Sequence, residues 1–315
     1  MRMEPSQKFH SEELIVEIQK LSLADKHRKS VDILIDKSHK NYIDLNSVID
    51  WSSGVNRTML PKRVDSAWTY GTPYWDKLTE EQRKELVWQE NARDASMFIW
   101  LEETLPTLFG LYINKNREQL TDQIYEYMMI FSKEEIIHTL MFRRYMKVAD
   151  LQLFPPPNGL YDLFVNQLPN MHPIAGVLCT YLVENVAEMG ALHATDFDSV
   201  EPNTRQLYRA HHFEEARHLA FGRWLTESYV AEAPPEVVAK LGGLARSFMS
   251  RLIPQYTYNE EISSRLSFDL GINTSEAVDA VRRSPNNQRI NAERFDEMLN
   301  WMKELGLAPR DYQWF

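Results

Sequence analysis

Residues 211–222, HHFEEARHLAFG, carry three histidines and two glutamates within eight positions and then become apolar again. On a helix that lies against a core, some of these groups point inward, where an unpaired carboxylate or imidazole costs several kcal/mol. His211, Glu215 and His218 follow each other at spacings of four and three, so they share one helical face. The spacing predicts that something held in the core satisfies all three side chains.

A second Glu-x-x-His occurs earlier in the chain. Glu135 and His138 lie within an apolar line of helical spacing that is made by Ile124, Met128, Phe131, Phe142 and Tyr145. One such pair is weak evidence, because a salt bridge on a solvated helix has the same spacing. Two pairs that both lie in the apolar stripe of a helix are stronger evidence for a shared metal site.

Single glutamates complete the pattern on two further helices. Glu184 lies in an apolar stretch, and the run MFIWL is followed directly by Glu102 and Glu103, which remain alternatives. In chain order the four helices give Glu, Glu-x-x-His, Glu, Glu-x-x-His, a pattern that is typical of ferritin-like proteins with two iron or two manganese ions. Carboxylates neutralise and bridge two cations, and imidazole suits iron.

The third imidazole makes the pattern more specific. His211 precedes Glu215 by one turn and gives His-x-x-x-Glu-x-x-His. Here the chain resembles the p-aminobenzoate N-oxygenase family of di-iron proteins, which use seven protein ligands including that extra histidine. The resemblance extends over about residues 75–230, through LTEEQRKEL, KEEIIHTLM, LVENVAEMGAL and HHFEEARHLAFG. Carried over by position, it implies a set of metal ligands made of Glu102 or Glu103, Glu135, His138, Glu184, His211, Glu215 and His218.

The resemblance also implies an activity. It is that of a non-haem di-iron oxygenase, which uses O2 to oxidise an aromatic amine to hydroxylamine and nitro products in a biosynthetic pathway. The implied cofactor is two iron ions, with di-manganese or mixed Mn/Fe as alternatives, and the implied assembly is a homodimer. The residues alone favour oxygen activation and leave two other functions open: a di-iron C-hydroxylase or desaturase, and a ferroxidase or other iron-handling protein.

Four neighbouring residues have less specific interpretations. His212 is expected to be a surface residue or an outer partner rather than a ligand, because His211 has the better register with His218. Glu134 and Glu214 are expected to be solvated or to pair with nearby cations. Glu188, one turn after Glu184, is placed to hydrogen-bond a ligating histidine.

Long helical patterns position these residues. A capping box, T-E-E-Q from Thr79, starts the first long helix. The second is predicted over about 117–150, the third over about 173–197, and the fourth to start after Pro202, with Asn203 and Gln206 as a cap pair. Shorter patterns occur in SEELIVEIQKL, KSVDILIDKSHK and PEVVAKLGGLARSFMSRLI. We expect an all-α fold, a ferritin-like four-helix bundle core over about 79–230 with additional N- and C-terminal helices, in a single domain over 1–315.

Composition excludes several classes of protein. The net charge of -10, without a basic stripe, argues against a nucleic-acid partner, and no run of apolar residues is long enough for a membrane span. Cys179 is the only cysteine, so any metal must be held by histidine and carboxylate rather than by thiolates. We expect a cytoplasmic enzyme with a small-molecule amine substrate. It depends on an external electron donor, a reductase or reduced carrier, because the sequence has no motif of its own for electron transfer.

Overall fold

Helices make up most of residues 20–314, the part of the chain that the computed structural model describes. The α-helices are α1 (Asp25–Lys40), α2 (Pro73–Asp76), α3 (Glu80–Lys115), α4 (Asp122–Val148), α5 (Asn158–Asp162), α6 (Pro173–Thr195), α7 (Pro202–Glu232), α8 (Pro235–Leu252), α9 (Ser275–Arg282) and α10 (Pro285–Glu304). Within the described range β-pairing is limited to two isolated bridges. The all-α prediction is confirmed, and the helix predicted in SEELIVEIQKL falls almost entirely outside the described residues.

The four longest helices form the bundle that the sequence predicts. Helix α3 packs along α4, and α6 packs along α7. The two pairs close on each other through contacts of α4 with α7 and of α3 with α6. Because each helix has an apolar face with embedded polar groups, closing the bundle brings those groups together at its centre.

The start of each long helix shows which local signals the sequence carries. Thr79 accepts a hydrogen bond from the Gln82 backbone and its own backbone N–H donates to the Gln82 side chain, so the predicted capping box is confirmed. The cap pair predicted for α7 is wrong, because the side chain of Glu201 caps the helix by accepting from the Thr204 backbone. Pro202 is the first helical residue, a position where its missing N–H costs nothing, and the cap therefore lies one residue earlier.

The start of α4 differs from the prediction, whereas α6 begins at Pro173 as predicted. Helix α4 begins at Asp122 rather than near 117, since Arg117–Gln119 forms a separate 3-10 turn. His172 caps α6 by accepting from the backbone N–H of Ile174, which gives this histidine a structural role.

The additional helices cover the outside of the bundle. Helix α1 packs on α4 and α7, and α8 and α10 pack on α6. The apolar face of α1, with Val31, Leu34 and Ile35, is buried, as expected for an amphipathic helix on a core. Across residues 20–314 we find no helix with the length and apolar content that crossing a bilayer requires.

Candidate metal centre

The predicted ligands meet at the centre of the bundle. Each of the following side chains is almost completely buried there: Glu102 on α3, Glu135 and His138 on α4, Glu184 on α6, and His211, Glu215 and His218 on α7. All four helices therefore contribute at least one carboxylate, and two of them also contribute imidazoles.

The structure separates the two alternatives on α3. Glu102 is 2% exposed and faces the other groups, whereas Glu103 is exposed to solvent. Adjacent residues on a helix point about 100° apart, so only one of the two can face the interior. Of the two alternatives, Glu102 is therefore the one that faces the other candidate ligands, and Glu103 points away from them.

One group of four side chains links α4 with α7. Glu135, His138, Glu215 and His218 can each offer a ligand atom within 4.8 Å of the others. His218 Nδ1 lies 2.9 Å from Glu135 Oε1 and 3.2 Å from Glu215 Oε1, and His138 Nδ1 lies 3.1 Å from the same oxygen of Glu215. Glu215 is thus shared by the histidines of both helices, as a bridging carboxylate would be.

A second group overlaps with the first and brings in α3. Glu102, His138 and His211 can also offer ligand atoms within 4.8 Å of one another. His211 Nε2 lies 2.8 Å from Glu102 Oε1 and 3.4 Å from Glu215 Oε1. Two overlapping groups of oxygen and nitrogen donors are the arrangement that two neighbouring cations require.

Buried polar atoms without a hydrogen-bond partner test whether metal ions fit this site. Within the described chain these atoms include both carboxylate oxygens of Glu102, Glu135 and Glu184, Oε2 of Glu215, Nδ1 of His138 and Nε2 of His211. Some of them are within ion-pair distance of each other, but at angles that make no hydrogen bond. Orphaned polar atoms are costly inside a protein, and two divalent cations would satisfy them. The residues fit a di-metal centre.

The electrostatics of the carboxylates differ between the helices. Burial raises the pKa of Glu102 to about 7, and burial together with the charges of Glu215 and Glu135 holds the pKa of Glu184 well above its ordinary value. Burial acts in the same direction on Glu215, but the charges of His218 and His211 outweigh it and hold the pKa of Glu215 well below its ordinary value. For the carboxylates of α3 and α6 the effect of burial on the pKa therefore outweighs that of the nearby histidines, whereas for Glu215 the histidines outweigh burial.

Two outer carboxylates hold two of the histidines in a crossed arrangement. His138 on α4 bonds through Nε2 to Glu214 of α7 at 2.9 Å, and His218 on α7 bonds through Nε2 to Glu134 of α4 at 2.8 Å. If each Nε2 carries the proton and donates it to the outer carboxylate, each Nδ1 keeps its lone pair toward the interior. Each helix thus orients the histidine of the other.

Arg217 joins the two outer carboxylates. Its Nη2 lies 3.0 Å from Glu134 and 3.4 Å from Glu214, and its Nε donates to the hydroxyl of Ser38 on α1. The backbone N–H of Ile43, just after α1, donates to Glu214 at 2.8 Å. The N-terminal part of the described chain therefore completes the outer layer of the site.

The third histidine has an outer carboxylate of its own. His211 Nδ1 lies 2.5 Å from Glu188, whose second oxygen lies 2.9 Å from Nδ1 of His212. The expectations for Glu188 and for His212 as an outer partner thus agree with the geometry, and His212 is about one-third exposed. Aromatic rings fill the remaining sides: Phe98 and Phe142 lie 4.9 and 5.0 Å from the His211 ring, and Phe131 stacks on His218 at 3.7 Å.

The roles of Glu134 and Glu214 were only partly anticipated. Both are buried, so of the two alternatives given for them only the pairing with a nearby cation, here Arg217, agrees with the structure. The sequence does contain a signal, because KEEIIH and FEEARH repeat the same Glu-Glu-x-x-His. The first glutamate of each motif lies next to the ligand, and from there it reaches the facing helix instead of solvent.

Comparisons with known proteins agree with this geometry. Over residues 24–306 the sequence matches the family described as p-aminobenzoate N-oxygenase AurF. Among solved structures, an R2-like ligand-binding oxidase mutant with an aerobically reconstituted Mn/Fe cofactor is similar at 13% identity, with a TM-score of 0.52 over 90% of this chain and 96% of that one. At this identity the likeness shows a shared fold. No curated protein matches the sequence.

Proposed function

Because the chain belongs to the p-aminobenzoate N-oxygenase AurF family and is therefore an oxidoreductase with a di-metal centre, we propose that it oxygenates the nitrogen of a small aromatic amine. The position of His211 carries the proposal: its Nε2 faces the interior 2.8 Å from Glu102, and Glu188 holds its other nitrogen. A third inward imidazole makes the site richer in nitrogen than the plain pattern of two Glu-x-x-His motifs.

The side chains would divide the work of holding two metal ions. Glu135, His138, Glu215 and His218 form one set of donors, Glu102 and His211 add to it, and the unpartnered carboxylate of Glu184 completes the set. When bound, two iron ions supply the electrons and Lewis acidity for reaction with O2. Mixed Mn/Fe occupancy is compatible with the same donors.

The protein itself contributes orientation and exclusion of water. Glu134, Glu188 and Glu214 each fix one histidine, so that the inner nitrogen keeps its lone pair. The rings of Phe98, Phe142 and Phe131 cover the histidines and keep bulk water from the reacting atoms.

The approach of substrate is expected beside Phe98. A cavity of about 10 Å³ lies against Phe98 and Tyr208, and a neighbouring cavity of about 20 Å³ leads past Arg294 to His193 and Glu293, which are partly exposed. Each cavity holds about one water molecule, which is far less than an aromatic ring requires. Entry of an arylamine therefore requires side chains along this path to move.

The test is product analysis with labelled oxygen. The protein is loaded with two equivalents of ferrous iron without oxygen and is then mixed with ¹⁸O2, an arylamine and a chemical reductant. We expect ¹⁸O in a hydroxylamine or nitro product, none from a matched arene without the amine, and none from the Glu215→Ala variant. Label on ring carbon would favour C-hydroxylation instead, and oxidation of iron without any labelled product would favour iron handling.

The proposal also includes an external electron donor. Each further turnover would need two electrons from an external reductase or reduced carrier, because the residues of the site supply none. Steady turnover with a chemical reductant and single turnover without it would support this dependence.

A further inference from the structure

Two small cavities between the surface and the metal centre share part of their lining. The inner cavity, of about 10 Å³, lies against Phe98, whose ring centroid is 4.9 Å from that of His211. The outer cavity, of about 20 Å³, reaches the partly exposed side chains of His193 and Glu293. The side chains that line both cavities are those of Lys62, Asp94, Ala194 and Arg294. A molecule that moves from the outer cavity to the inner one must therefore pass between these side chains.

Of the two cations in this shared lining, only Lys62 is held by carboxylates. Its Nζ lies 2.9 Å from Glu90 Oε2 and 3.4 Å from Asp94 Oδ2. Arg294 is 7% exposed, yet among the described residues no carboxylate lies within ion-pair distance of its guanidinium, and its Nε has no hydrogen-bond partner. Its Nη1 donates to the backbone carbonyl of Tyr256 at 2.9 Å, and the guanidinium lies over the ring of that residue. Arg294 is therefore the less firmly held of the two cations.

Gly190 on α6 makes room for the guanidinium of Arg294. A Cβ at this position would overlap Nη2 and Nε of Arg294, so the guanidinium occupies space that the side chain of any other residue would fill. Burial lowers the pKa of Arg294, because the charged form loses hydration there. The guanidinium would regain water by turning toward the outer cavity, where Asp94 and Glu293 offer carboxylate oxygens.

We propose that the side chain of Arg294 is the gate on the path to the metal centre. In the position described, it closes the passage between the two cavities; turned toward the outer cavity, it opens the passage to an aromatic ring. An arginine side chain can make this change by rotating about its own bonds, so α10 need not move. The inference rests on the proposed function for the size of the molecule that enters, and it names the side chain that controls entry.

The first experiment measures how fast uncharged ring ligands reach Co²⁺ in the loaded protein. Imidazole and benzimidazole bind cobalt through nitrogen, change its visible absorption and are largely uncharged at about pH 8. Arg294→Ala removes the guanidinium, so the association rate constant from stopped-flow absorbance should rise at least about tenfold for imidazole. The rise should be larger for benzimidazole, because the wider ring depends more on the opening of the gate.

The second experiment tests the entrance. Ser66→Trp places a large ring at the partly exposed rim of the outer cavity, and the association rate constant of imidazole should fall at least about tenfold. Arg283→Ala is the matched control, since Arg283 forms an exposed pair with Asp279 and lines neither cavity. We expect this control to change the rate constant by less than about twofold.

Two results would overturn the proposal. The first is an imidazole rate constant that is equal in the unsubstituted protein and in Arg294→Ala, or imidazole that binds to neither although both hold cobalt. The second is an unchanged rate constant in Ser66→Trp. Cobalt content checks that the bundle is intact, and if Arg294→Ala holds less cobalt, Arg294→Gln is judged by the same criterion.

This test is separate from that of the proposed reaction. Binding of imidazole to Co²⁺ requires neither O2 nor an amine substrate. A lack of labelled product in the ¹⁸O2 experiment would therefore contradict the proposed oxygenation without affecting the entry rates. Unchanged entry rates would contradict the role of Arg294 and leave the proposed oxygenation standing.

Discussion

The two sides of the metal centre are built differently. On α4 and α7 the same Glu-Glu-x-x-His motif occurs twice, and each histidine is held by a carboxylate from the other helix. On α3 and α6, Glu102 and Glu184 have no hydrogen-bond donor for either oxygen. The two histidines of the first side are fixed before any metal binds, whereas Glu102 and Glu184, like Glu135 on α4, make no hydrogen bond through either oxygen and would gain partners from the metal. The difference suggests two roles: His138 and His218 set the position of the metal ions, and Glu102 and Glu184 can move to fit them.

The largest effect is expected at Glu215, the carboxylate that the histidines of α4 and α7 share. Glu215→Ala removes the oxygen that lies near all three histidines, so the metal content should fall from two equivalents to less than one. Elemental analysis after loading and gel filtration measures this content. Glu103→Ala is the matched control, since Glu103 lies one residue from Glu102 but is exposed. Loss of metal from the control variant would contradict the assignment on α3.

A large loss of stability is expected when the link between the outer carboxylates is removed. Arg217→Gln leaves Glu134 and Glu214 buried without their shared cation, and the free energy of unfolding should fall by about 3 kcal/mol. Urea denaturation of the metal-free protein measures this change. Arg209→Gln, which breaks an exposed pair with Asp196, should change it by no more than about 1 kcal/mol. Equal losses of unfolding free energy in the two variants would show that Arg217 does not link Glu134 to Glu214.

Because Glu134 and Glu214 each hold the histidine of the opposite helix, we expect their substitutions to have equal effects. Glu134→Gln and Glu214→Gln each weaken the orientation of one histidine, and we expect both to lower metal affinity by about 10- to 100-fold. Titration with Co²⁺, followed by its visible absorption, measures the affinity and reports on the ligand geometry. Lys133→Gln is the control on the exposed face. If only one of the two carboxylates matters, the two motifs are not equivalent.

The smallest effect is expected around the third histidine. Glu188→Gln keeps an oxygen that can accept from His211 but loses the charge, so the affinity for Co²⁺ should fall by about tenfold. His212→Ala, at the partly exposed end of the same chain of hydrogen bonds, should change it by less than about threefold. A larger loss of Co²⁺ affinity in His212→Ala than in Glu188→Gln would contradict the assignment of Glu188 as the residue that holds His211.

Periodicity accounts for how much of the site could be predicted. Apolar lines at helical spacing place Glu135, His138, Glu184, His211, Glu215 and His218 on buried faces, and the structure brings these faces together. On α3 periodicity places Glu102 nearer the apolar face, whereas the local pattern of the family fits Glu103, so the sequence leaves both open and the choice depends on how α3 is rotated against α4.

Contacts between distant segments account for what was missed. In the sequence Glu134 and Glu214 can be either solvated residues or partners of nearby cations, and only the packing of α4 against α7 shows that each reaches the histidine of the opposite helix. The cap of α7 was missed for a local reason, since Glu201 is a less common cap residue than asparagine and the effect of Pro202 at the first helical position outweighs that preference.

The hydrogen bond from Ile43 to Glu214 connects residues that are 171 positions apart. During synthesis residue 43 leaves the ribosome long before Glu214 and His218 exist, so the donor at the N-terminal end must wait for most of the chain. The inner ligands are similarly spread from Glu102 to His218. A complete binding site therefore forms only after α7 has been synthesised, and uptake of both metal ions follows the folding of the first helices rather than guiding it.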